Sequence, residues 1–394
     1  PPQSGPYRLT GVSQGRYFIY ERVPDYWGRN LPVNRGKFNF DTIRYERYQD
    51  ATVAREALRA GMLDVWTETD SRHWLASYDV PAREAGRLVL GRLRSGDLRG
   101  ARYRLALNTR RQPFDDIRVR EALSHALDFG WQIRVLHGGE MTRANSFFAG
   151  SMFASSGFPD EAETALLEPH RARLPARVFT HPFSFPSTNG VGVDRDGLLR
   201  ARALLAKAGY RVVDGIMVDP VGEPFVIEFL SFRREDQRIL LPYVSSLSIL
   251  GIQADIRMID RTSYYNRLRG ADYDATLPPE RGMQVPPSLL RAFFHSSSTL
   301  RLNASRLNDP AVDALVEAAL SATRLDEFVS ACRALDRVLL WNYYQFPLDA
   351  MGDTRIVYWD KFGRPDLPEE MYIAPFPDGW WFDEDKAARL TFSK

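Results

Sequence analysis

The chain has 394 residues, enough for two or three domains, and its 44% hydrophobic and 26% charged residues make an ordinary globular balance. That balance excludes disordered, collagen-like and low-complexity classes. Lys and Arg total 52 against 50 Asp and Glu, and the net charge of +2 gives no electrostatic ground for a nucleic-acid partner.

Alternation of apolar and polar residues predicts strands at Tyr7 to Thr10 and Arg16 to Tyr20, with Gly11 to Gly15 as the turn between them. Thr42 to Tyr48 reads as a further strand. Asp50 then caps a helix over Ala51 to Ala60 that ends at Gly61, and Leu63 to Trp66 is a short strand, so the stretch reads as a β-α-β unit. Helices are expected near Ser71 to Tyr78 and Pro81 to Ala85, and a strand over Arg102 to Asn108. Pro113-Phe-Asp-Asp116 opens a helix whose Ile117, Ala122, Leu123, Ala126 and Leu127 share one face.

From Phe147 to Asn189 the chain is rich in Pro, Ser and Phe and reads as long ordered loops with one helix near Glu161 to Leu167. Leu198 to Ala208 is a helix closed by Gly209. A strand pair, Gly215 to Val218 with Pro224 to Phe229, comes next. Helices at Ile239 to Leu250 and Thr262 to Leu268 alternate with strands at Ala254 to Ile259 and Asp274 to Leu277. Two long helices, Pro310 to Ala322 and Asp326 to Trp341, precede a strand at Phe346 to Leu348. Helices and strands in alternation imply α/β lobes with covered sheets.

The single Cys332 sits in a helical pattern, which excludes an internal disulfide and a multi-cysteine metal site. No run of eighteen apolar residues is present. The six histidines have no zinc-site spacing, and His125 reads as structural. Asp194-Arg-Asp-Gly197 lacks most calcium-loop positions and reads as a turn. No nucleophile elbow, phosphate loop or dinucleotide fingerprint occurs, so no catalytic residue, metal or cofactor is assigned. The loop Leu277-Pro-Pro-Glu-Arg-Gly282 follows a strand end, where open α/β sheets hold ligands, and carries adjacent opposite charges on a proline-stiffened backbone. Both a binding loop and a plain turn fit that pattern.

Several segments taken in order resemble the family 5 extracellular solute-binding proteins of ABC importers, in their YejA-like oligopeptide-binding branch. They include Arg22-Val-Pro-Asp-Tyr-Trp-Gly28, Phe40-Asp-Thr-Ile-Arg-Tyr45, Leu107 to Leu123, Leu166-Leu-Glu-Pro169, Tyr358 to Pro365 and Asp378 to Ala387. The resemblance implies a two-lobed periplasmic binding protein fold (type II, cluster C), and a periplasmic receptor that captures oligopeptides and hands them to an ABC permease in the inner membrane. The ligand would face Trp66, Thr67, Glu68 and Tyr103, and the loop residues Leu277, Pro279, Glu280 and Arg281. Better-studied members hold the peptide amine with an Asp just after that loop, and here Glu280 is the candidate substitute. A receptor for another solute such as an oligosaccharide, and an undetected hydrolase, are the alternatives.

The resemblance also implies that family members carry a long segment ahead of the part matching Gly5. Lobe I is therefore expected as a partial lobe of residues 1–106 with 353–394, and lobe II as residues 107–352. The segment itself or a second chain is expected to cover the exposed surface of lobe I.

Overall fold

The structure, a computed structural model, describes residues 4–68, 70–94, 103–139, 141–188, 190–278, 287–350, 353–365 and 376–390. The chain divides into two compact units, residues 1–96 with 352–394, and residues 97–351. The strand around Tyr103, expected in the first lobe, hydrogen-bonds on both sides to strands of the second unit. Sheet pairing, which the local sequence does not report, decides its membership.

In the first unit β1 (Tyr7–Ser13), β2 (Tyr17–Arg22) and β3 (Thr42–Glu46) form an antiparallel sheet in that order. The Ala51–Arg59 helix follows, capped by Asp50, whose carboxylate accepts from the Thr52 amide at 2.6 Å. β4 (Val65–Thr67) and β5 (Leu88–Arg94) then flank a strand that returns from far along the chain, Asp353–Trp359, both antiparallel to it. The period of two divides that returning strand cleanly. Val357 and Trp359 join Leu58, Trp74, Tyr78 and Leu88 in one apolar cluster, while Ile356 and Tyr358 join Leu93, Phe362 and Trp380 in another. The expected β-α-β unit is therefore corrected, because β3 and β4 belong to different sheets. A helix between two alternating runs does not force those runs to pair.

The second unit contains β6 (Tyr103–Leu107), β7 (Thr142–Arg143), β8 (Arg211–Val213), β9 (Ile216–Val218), β10 (Val226–Ser231), β11 (Gln253–Met258), β12 (Ala275–Thr276) and β13 (Gln345–Ala350). Six of these make a mixed sheet in the order β11-β10-β12-β6-β13-β7. β10 runs parallel to β11 and β12, and the pairs involving β6 and β13 are antiparallel. The expected strand pair at Gly215 is corrected. β9 pairs with β8 in a hairpin whose turn is Asp214 (φ 49°) and Gly215 (φ 82°), and Val218 touches Pro224 only as an isolated bridge. Asp-Gly at positive φ is the favoured two-residue hairpin turn. Asp194 starts the Arg195–Lys207 helix where a turn was expected.

The first part of the long stretch after Phe147, as far as Glu163, is tied to one helix, Leu325–Trp341. Its Asp336 and Arg337 are both buried, at 0% and 1% exposure. Asp336 accepts from the Phe147 amide at 2.9 Å, the Ser155 amide at 2.9 Å and the Ser155 hydroxyl at 2.7 Å. Arg337 pairs with Glu163 and donates to the carbonyls of Ser156, Gly157 and Phe158. Two neighbouring charges thus satisfy backbone groups that no sheet or helix serves.

Burial pushes the Asp336 carboxyl up to about 6, against the hydrogen bonds that Ser155 and the Phe147 amide donate to it. The folded chain then holds a proton that the unfolded chain releases. The stability this proton confers is complete below about pH 4 and is lost as pH rises through about 6. In paired unfolding measurements, the parent should lose roughly 3 kcal/mol relative to Asp336→Asn between those limits. A stability difference that stays flat across that range would refute this account.

Candidate functional site

The first unit carries a trough of about 490 Å³ between two strand edges. Among the described residues β3 pairs only with β2, and β4 only with the returning strand, so each leaves one edge without a strand partner. Those edges border the trough, Thr42 to Glu46 on one side and Val65 to Thr67 on the other. The floor is apolar, made by Leu93, Ile356 and Phe362 with Phe40 and Phe376 beside them. Phe40 stands edge-on to Phe362 with ring centroids 5.8 Å apart, a packing that fixes the floor.

Charges at the rim are paired locally. The Arg44 Nε lies 2.6 Å from Glu46, with the guanidinium over the Tyr17 ring, and Lys361 lies 2.5 Å from Asp64. The trough therefore offers backbone hydrogen-bond groups along its walls and hydrocarbon below. Such a surface matches an extended backbone with apolar side chains.

The residues expected to face a ligand fall in both units. Thr67 is exposed and lines the trough. Trp66 lines it along the strand edge, but its indole packs against the cluster of Leu58, Trp74 and Val357 and donates to Glu68 at 3.3 Å. Glu68 has 0% exposure. Its carboxylate accepts from Arg55 Nε at 2.8 Å, the Tyr78 hydroxyl at 2.7 Å and the Asp70 amide at 2.8 Å. Burial alone raises the Glu68 carboxyl, but these donors, Arg55 foremost, outweigh it and hold the group below its usual range. In the structure Glu68 is thus a fully engaged anchor behind β4.

In the second unit the backbone of Tyr103 pairs with Asp349. Leu277 is buried, and its carbonyl accepts from Arg233 at 3.3 Å. The Tyr103 side chain and the residues Pro279, Glu280 and Arg281 lie outside what the structure describes. Sequence reasoning did not single out Ile43, Phe362 or Phe376 for the trough. The signal for Ile43 was present, since it lies on an alternating strand within a segment that carries the family resemblance. Among the described residues no group of three or more His, Cys, Asp or Glu is placed to hold a metal ion. No described helix is long and apolar enough to cross a membrane.

Residues 1–299 match the sequence profile of the bacterial extracellular solute-binding proteins, family 5 (middle). The chain belongs to this family. Among its relatives is YejA of Escherichia coli (strain K12), 38% identical over 395 residues, which cover 99% of this chain and 65% of that protein. A probable peptide-binding protein, YejA of Agrobacterium fabrum (strain C58 / ATCC 33970), is 38% identical over 387 residues, covering 96% of this chain and 62% of its own length. The chain thus spans somewhat under two thirds of these family 5 relatives. The oligopeptide-binding protein AppA of Bacillus subtilis, solved with a nonapeptide, shares the fold at a TM-score of 0.67 and 18% identity, over 96% of this chain and 66% of that one. Family and fold are those of binding proteins.

The Arg55–Glu68 pair generates a test of the anchor. Glu68→Gln leaves a buried guanidinium without its counter-charge, and breaking a buried pair in this way costs about 3–5 kcal/mol. Denaturant unfolding followed by tryptophan fluorescence should show that loss. An unchanged midpoint would mean that Glu68 does not hold β4.

Proposed function

We propose that this chain is the solute-binding component of an ABC importer in the periplasm, that it captures oligopeptides without cleaving them, and that it delivers them to a permease. The observation that carries the peptide reading is the trough with two unpaired strand edges over an apolar floor. A peptide backbone supplies the alternating N–H and C=O groups that such edges lack, and its side chains alternate toward the floor. Membership of a solute-binding family supports the same reading.

Titration calorimetry with short apolar peptides, run beside a cleavage assay, tests it. Saturable binding without products is expected, and N-methylation of alternate amides should weaken it at least about tenfold, because each blocked donor removes a hydrogen bond. Absence of saturable binding, indifference to N-methylation, or turnover would each sink the proposal.

From the family resemblance, and apart from the trough, we further propose that the loop Pro279-Glu280-Arg281 reads peptide termini, with a carboxylate for the amine and a guanidinium for the carboxylate. Each of Glu280→Ala and Arg281→Ala should cost about 2–5 kcal/mol of peptide binding if its charge pair is buried on capture. If both variants bind like the parent, the loop reads no terminus.

A second reading has its own observation, the greater length of the relatives. A strand from a longer form of the polypeptide, or from a second chain, would satisfy the β3 and β4 edges equally well. On that reading a free peptide binds the 394-residue chain but not a form of the relatives' length. Equal affinity in both forms would favour the ligand instead.

A further inference from the structure

One segment that carries the family resemblance, Arg22 to Gly28, has no part in the trough. The stretch from Arg22 to Asp41 holds four cations, Arg22, Arg29, Arg35 and Lys37, against two carboxylates, Asp25 and Asp41. Arg22 is engaged by Asp41. Arg29 and Lys37 have no ion-pair partner among the described residues, and both line a pocket of about 50 Å³ with Tyr26, Phe38 and Asn39. A water needs roughly 10–15 Å³ on this measure, so the pocket holds a few waters, about the size of a tetrahedral oxyanion.

Two backbone amides at the pocket are without a partner among the described residues. Phe38 stands at φ 63°, a left-handed conformation that a bulky aromatic rarely adopts. The amides of Phe38 and Asn39 have no hydrogen-bond partner among the described residues, whereas the neighbouring Lys37 amide donates to Asn34. Strain of this kind, about 1–3 kcal/mol, persists where surrounding structure enforces it and clusters at functional positions. The surroundings here are well defined. Phe38 stands edge-on to Tyr26 at 5.9 Å, and a Cβ on Gly28 would come within 2.7 Å of the Tyr26 ring. Gly28 thus lets Tyr26 fold down as the pocket wall.

The same loop exposes large apolar side chains. Trp27 is 71% and Val33 68% exposed, with Leu31 at 41%. Cations beside solvent-facing Trp, Leu and Val are what an anionic interface receives, with charge to the headgroups and apolar groups to the boundary.

We propose that this loop is a phosphate-group site, in which Arg29, Lys37 and the Phe38 and Asn39 amides bind the oxyanion. It is independent of the peptide reading. The chemistry is shared by free inorganic phosphate and by a phospholipid headgroup, and the experiment separates the two. The full chain is titrated with inorganic phosphate by ³¹P NMR at low salt. It is also sedimented with phosphatidylcholine vesicles with and without phosphatidylglycerol. The Arg29→Met/Lys37→Met double variant is run beside it, with circular dichroism as the check on its fold.

Saturable phosphate binding that falls at least about tenfold in the double variant supports the site, since charge-assisted hydrogen bonds of this strength are lost. Co-sedimentation with phosphatidylglycerol vesicles alone, reduced by Trp27→Ser and by the double variant, supports it with the headgroup as source. Phosphate binding without vesicle binding supports it with a soluble phosphate as source. No binding in either arm overturns the proposal, and so does binding that the double variant leaves unchanged.

Discussion

A strand edge bordered by hydrocarbon presents a row of amides and carbonyls that another strand can pair, with water serving them from the open side until one does. In the first unit such an edge occurs twice across one trough. β3 closes a three-stranded sheet on one side and β4 closes another, with Phe40, Leu93 and Phe362 beneath both. If the two strands paired with each other, no trough would exist. On its other edge β4 is held by the returning strand, through Val65, Trp66 and Thr67 opposite Tyr358, Val357 and Ile356. Behind β4, Glu68 ties the strand end to the Ala51–Arg59 helix through Arg55 and to Tyr78.

Much of this was legible in the sequence, where structure is local. The Asp50 cap, the helix it begins, the β1–β2 hairpin and the long helices near the end all follow from period, cap and turn. Partnership was not legible. The returning strand lies almost three hundred residues beyond β4, and its Tyr358-Trp359 end stood out only as the start of a segment that carries the family resemblance. Alternation says that one face is buried and is silent on which strand lies alongside. The β8–β9 hairpin is a different kind of miss, because Asp214-Gly215 between valines and isoleucine is a strong local turn signal. Glu68 shows the limit for site residues. A carboxylate after a strand is a ligand contact or an anchor according to what folds over it, and Arg55 and Tyr78 become its partners only in three dimensions.

The second unit makes the same point with buried charge. The stretch from Phe147 to Glu163 has little periodicity of its own, yet Asp336 and Arg337, projecting from a helix that arrives much later in the chain, hold its backbone. Asp336 accepts where amides are in excess, and Arg337 donates where carbonyls are. Neither charge has a role that composition or spacing reveals, and removing either would strand several backbone groups at once.

On the peptide reading, selectivity follows from how charge is distributed around the trough. Arg44 is spent on Glu46, and Asp64 on Lys361. These pairs lie at the rim, where solvent screens them and their contribution is small. Among the described residues they leave no lone charge at the trough to discriminate among ligands by sign. On the peptide reading, the edges therefore recognise what all peptides share, and the floor selects for apolar side chains without demanding one shape. A receptor built this way is tolerant of sequence by construction. Any preference for length must then come from outside the trough, because the two ends of a peptide are its only obligatory charges and the described charges at the trough rim are already paired.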